Sequence, residues 1–125
     1  GVIDLITMKA YYFSKEDMGT TITEDEIPAE YVDKATELRE KLVEAAAEQD
    51  DALTEKYLEE GSLSDEEIRF ALRKGTIART IHPTFAGSAL QNIGVQKLLD
   101  GIVDYLPNPT EVADAAVHKV MSEYK

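Results

Sequence analysis

The stretch FAGSALQNIGVQKLLD, residues 85–100, sets a small-residue turn between an apolar segment and an amphipathic repeat. Upstream, Ile81 to Phe85 is rich in β-branched and aromatic residues and reads as a short strand, with Pro83 favouring an edge or an irregular start. Downstream, Val95, Leu98, Leu99, Ile102, Val103 and Leu106 recur at helical spacing until Pro107 stops the run, and Asn92 and Gly94 stand just ahead of it. This helix is expected to bury all six. Strand, tight small-residue turn and helix is the local order of an α/β nucleotide-binding fold. Taken as four letters, GSAL is what any turn uses.

Working outward, GVIDLITMKAYYF places Ile3, Leu5, Tyr11 and Phe13 on one face at period two, as one long strand or two short ones. SKEDMG is a turn and TTITEDEI a returning strand, so residues 2–27 form a hairpin. Pro28 then opens a long helix, about Ala29 to Glu59, whose stripe of Tyr31, Ala35, Leu38, Leu42, Ala45, Leu53 and Tyr57 faces a core. Any kink falls at EQDDA. A second helix in SLSDEEIRFALRKG has a Ser64/Glu67 capping box, an apolar side of Ile68, Ala71 and Leu72, and Gly75 as its left-handed terminator. Thr110 caps a short last helix carrying Ala113, Ala116, Val117 and Val120. The fold class is α+β, with an α/β fragment at its C-terminal end.

The chain has 125 residues, a formal charge of −12 and no cysteine. Disulfides and thiolate metal sites are therefore excluded, and two isolated histidines, His82 and His118, offer little to zinc. The short apolar runs hold no membrane span and no secretory leader is read at Asp4 and Lys9, so a cytoplasmic, metal-free protein is expected. From Glu24 to Glu67 there are 17 acidic and four basic side chains, against eight and nine elsewhere. Such a surface repels nucleic-acid phosphates and suits a basic protein partner, although charge alone favours a solvated helical face. Tyr11, Tyr12, Tyr57 and Tyr105 read as amphipathic core residues.

GVIDLITMKAYYF, EIPAEY, LTEKYLEEG, EEIRFALRKGTIA and GSALQNIGVQKLLDGIVDYLPNP occur here in one order. That series, over about residues 1–112, resembles bacterial translation elongation factor G. The resemblance implies an insertion called the G-prime subdomain at 1–78 and the C-terminal piece of a GTPase domain at 79–125. It also makes Gly87, Ser88, Ala89 and Leu90 the guanine-contacting turn, in which small side chains let the base approach backbone amides. Ala86 stands where the family commonly has cysteine, and the chain departs from the family after Val112.

The remaining guanine-nucleotide machinery is not in this sequence: it has no Gly-x-x-x-x-Gly-Lys-Ser/Thr loop, no Asp-x-x-Gly and no Asn-Lys-x-Asp. No catalytic residue, metal ligand or cofactor is therefore expected for this chain alone; GTP or GDP and magnesium belong to the complete parent factor. The resemblance further implies a partner, the basic C-terminal domain of the ribosomal stalk protein, met by Glu44, Glu48 and Asp51. Spacings of four and three put these acids on one helical face, with Glu37 and Glu55 extending the ridge. Like charges so placed do not stabilise a helix, which favours binding over structure. A stand-alone acidic protein-binding module with no nucleotide function is the alternative. The strand at 81–85 lacks parallel neighbours, so the last helix or self-association is expected to cover the open side.

Overall fold

The computed structural model describes residues 1–109 and 111. The expected helix after Thr110, and His118 with it, lies outside the described residues. Among them the order is β1 (Val2–Asp4), β2 (Lys9–Phe13), β3 (Ile22–Asp25), α1 (Ala29–Ala47), α2 (Asp51–Glu60), α3 (Asp65–Ala78) and α4 (Val95–Tyr105). The fold is α+β, a three-stranded antiparallel sheet with four helices.

The opening apolar stretch makes two strands because Asp4 turns the chain. Its Oδ1 accepts from the N–H of Ile6 at 2.9 Å and of Thr7 at 3.3 Å, and Met8 takes a φ of 53°. β2 then pairs with both neighbours, Ile3 opposite Ala10 and Tyr11 opposite Glu24. A meander therefore replaces the expected single hairpin. Arg39 of α1 holds the β1–β2 turn by donating to the Leu5 carbonyl at 2.8 Å and to that of Ile6, while its other nitrogen reaches Asp65 at 3.1 Å.

The long helix expected over 29–59 is two helices. Asp50 adopts an extended conformation and its carboxylate accepts from the N–H of Ala52 and Leu53, starting α2 afresh. The same carboxylate meets Lys74 of α3 at 2.7 Å, which ties the break to the third helix. The core face of α1 is also rotated from the expected stripe: Ala35, Val43, Ala46 and Ala47 are buried, whereas Tyr31 and Leu38 are exposed. Leu42 packs at the core margin.

Against that face lies α3, started by the Ser64/Glu67 capping box and buried along Ile68, Ala71, Leu72 and Gly75. Ile68 is 0% exposed. Gly75 is not the terminator; the helix runs to Ala78 and Arg79 takes the left-handed position with φ 62°. Gly75 has a different use, since a Cβ there would stand 2.5 Å from Ile81 Cγ1. Closeness, not a positive φ, requires glycine.

No strand forms at 81–85, because a parallel partner is absent among the described residues and Pro83 has no N–H to offer a ladder. The segment is held by side chains instead. Ile81 packs on the core cluster, and Phe85 lies over Gly101 with its ring 6.2 Å from that of Tyr105. Both of these belong to α4, which packs on α3 the opposite way round from its amphipathic pattern. Gly101 and Tyr105 are buried and Asp104 meets Arg69 at 3.2 Å, while Leu98, Leu99, Ile102, Val103 and Leu106 are exposed. Arg73 completes this seam by donating to the carbonyls of Asp104 and Leu106, at the helix end where carbonyls lack partners, and to Glu111.

Removing the Tyr105 ring (Tyr105→Ala) should therefore cost roughly 3–5 kcal/mol, as for other buried aromatics. Val103→Glu, at a site 78% exposed, should leave the denaturant midpoint near that of the parent. Urea unfolding of both variants checks the orientation of α4.

Glu67 carries a pH dependence. The Lys56 ammonium and the Ser64 cap hold its carboxyl down at about 2, from an ordinary 4.5. A depressed acid contributes its stabilisation above the unfolded value and loses it as pH falls toward the folded one. Stability should hence decline between about pH 4.5 and 2, and Glu67→Gln should flatten that decline in thermal melts recorded across the range.

Candidate functional site

The Gly87–Leu90 turn is closed by a small antiparallel bridge. Ser88 N–H donates to the Ile93 carbonyl at 2.8 Å, Ile93 N–H returns to the Ser88 carbonyl at 2.9 Å, and Asn92 N–H reaches the Ala89 carbonyl at 3.3 Å. Asn92 and Gly94 take φ values of 51° and 75°, conformations that Asn and Gly tolerate best. Two glycines let the arms touch: a Cβ on Gly87 would stand 2.5 Å from the Ile93 carbonyl oxygen, and one on Gly94 would stand 2.8 Å from that of Ala86. Sequence reasoning placed the turn but missed its closure onto Ile93. The pair of left-handed-tolerant residues Asn92 and Gly94 was the signal.

That closure determines which amides remain available. Among the described residues, no hydrogen bond engages the N–H of Ala89, Leu90 or Gln91. These residues are exposed, Leu90 at 97%. Three unpaired donors in consecutive residues can serve a carbonyl or another acceptor of a planar ligand. Ser88 is different, since its N–H is committed to the bridge.

An open cleft of about 1010 Å³ lies beside this turn rather than at it, between the sheet, α1, the 83–86 segment and α4. Ala86 touches it, and Ile3, Tyr31, Phe85 and Lys97 are among its walls. Lys97 stacks over the Tyr11 ring at 3.7 Å, and Tyr11 donates to Glu24 at 3.2 Å, so these two side chains on the sheet side of the cleft are already engaged. Among the described residues no group of three His, Cys, Asp or Glu is arranged to hold a metal ion. No helix there is long and apolar enough to cross a membrane.

The acidic residues divide into used and unused. Asp50 is paired with Lys74, Glu67 with Lys56, Glu37 with Lys41, and Asp65 with Arg39. The Lys74 contact holds the Asp50 carboxyl below its usual range, and Lys41 does the same for Glu37. Glu44, Glu48 and Asp51 are exposed and make no ion pair or side-chain hydrogen bond among the described residues. They do not share one helix as expected: Glu44 is in α1, Glu48 caps its end and Asp51 opens α2. The Asp50 break separates them.

No protein-family model matches the chain. The crystal structure of ttk003000868 from Thermus thermophilus is similar to it over 89% of its length, with a TM-score of 0.77 and 32% sequence identity. The chain spans 16% of the length of that protein. The same arrangement of sheet and helices thus occurs there within a much longer polypeptide.

Proposed function

We propose that this chain is a segment of a translational GTPase of the elongation factor G kind, carrying the guanine-contacting turn and an acidic surface for the ribosomal stalk protein. The free N–H groups of Ala89 and Leu90, in a turn closed by the Ser88–Ile93 bridge, carry the first half of this reading. The outward apolar side of α4 supports it too, since a run of Leu98, Leu99, Ile102, Val103 and Leu106 left open is what a helix of a larger core would leave. In the complete factor, GTP or GDP and magnesium would be held by loops that this sequence lacks. Gly87 to Leu90 would supply one corner of the base site and no chemistry.

For the chain alone, a few backbone hydrogen bonds face an association cost of several kcal/mol. Calorimetry with GDP and magnesium should accordingly show no micromolar binding. Heat consistent with such affinity would overturn the division of labour between this segment and the missing loops.

The unpaired acids Glu44, Glu48 and Asp51 favour the second half, and equally the alternative of an acidic protein-binding module without a nucleotide role. A basic domain docking there should be steered by charge, so its affinity should fall with salt. Exposed pairs contribute about 0.2–1 kcal/mol each, so changing all three to Gln, Gln and Asn should weaken binding roughly three- to 150-fold. Titration against the isolated stalk C-terminal domain decides it. Affinity indifferent to both salt and the triple substitution would leave the acids as a solvated face.

A further inference from the structure

The β2–β3 turn reaches across the molecule to the loop at 88–93. Gly19, at its end, is buried with φ 77°, and a Cβ there would stand 2.5 Å from the Asn92 carbonyl oxygen and 3.2 Å from that of Gln91. The side chain of Gln96, in the first turn of α4, donates from Nε2 to the Gly19 carbonyl at 2.9 Å. Its Oε1 is buried with no partner among the described residues, an uncompensated cost borne for that one bond. Asp17 stiffens the turn from within by accepting from the N–H of Thr20 at 3.1 Å and of Thr21 at 2.9 Å. Backbone therefore meets backbone where 77 residues separate Gly19 from Gln96.

We infer that Gly19 and Gln96 are positioning residues for the Gly87–Leu90 turn. They press the β2–β3 turn against Gln91 and Asn92 and so set the direction of the unpaired amides at 89–91. The inference rests on reading those amides as ligand-contacting, and it adds that the sheet governs them. Asn92 is the point of transfer, because its left-handed backbone both closes the Ser88–Ile93 bridge and receives Gly19. The outer residues of the β2–β3 turn, Lys15 to Met18, are exposed, so contact made there would be felt at the loop.

Amide hydrogen exchange by NMR on the full chain, without nucleotide, tests the coupling. Gln96→Glu keeps the shape but loses the donor, and it should speed exchange about tenfold at Ser88, Asn92 and Ile93 while Ile68, Ala71 and Leu72 of α3 keep their protection. Gly19→Ala should produce the same local pattern, more strongly. Gly61→Ala is the control, since Gly61 has φ 71° with nothing within 4 Å of a Cβ, and it should leave 88–93 untouched. Unchanged exchange at 88–93 in Gln96→Glu overturns the inference, as does a loss shared equally with α3, which would signify only lower global stability. If Gln96→Glu does not fold, Gly19→Ala is judged by the same two criteria. A GDP titration fails or succeeds independently of this result, so the guanine reading and the coupling are separable.

Discussion

The seam between α1 and α3 is the contact on which the other elements depend. Ala46 and Ala47 on one side and Ala71 on the other are small enough to let the two helices close around Ile68 and Val43. Burying a side chain such as Ile68 is worth roughly 1.5–3 kcal/mol, and close packing makes any gap in the seam costly. Several other parts of the fold are fastened to one of these helices. Arg39 of α1 holds the β1–β2 turn, Asp50 and Lys74 fix the start of α2 on α3, and Ile81 enters the notch at Gly75.

Electrostatics follows from the same arrangement. Most basic side chains near the seam are engaged internally: Arg39, Lys56, Arg69, Arg73 and Lys74 each bridge two elements. An acidic sequence that spends its cations on its own architecture is left with unneutralised carboxylates on the outside. Glu44, Glu48 and Asp51 are in that position, on the side of α1 and α2 turned from the core. Their field extends over a Debye length, ~8 Å at physiological salt.

Helix α4 is where hydrophobic pattern and burial part company. Its inward side carries Lys97, Gly101, Asp104 and Tyr105, and its outward side the aliphatic residues. Arginine forks from α3 and a glycine notch for Phe85 fasten the inward side, so the helix is seated without its most apolar face. The similar Thermus thermophilus arrangement sits in a chain several times longer.

Local chemistry was legible in the residues alone. The Ser64/Glu67 capping box, the apolar triplet Ile68, Ala71 and Leu72 and the turn at 87–90 are short-range features, decided within a few residues by hydrogen bonding and periodicity, whereas at EQDDA the residues suggested only a kink in one helix. What required tertiary structure was long-range. The use of Gly75 depends on Ile81, the division of the first strand on Asp4 and on Arg39 from another element, and the absence of a strand at 81–85 on whether a neighbour exists to pair with it. The face that α4 turns inward likewise depends on Arg69 and Arg73 rather than on its own amphipathic pattern. A sequence specifies which side chains a helix offers, whereas only the surrounding chain decides which of them find a surface to bury against.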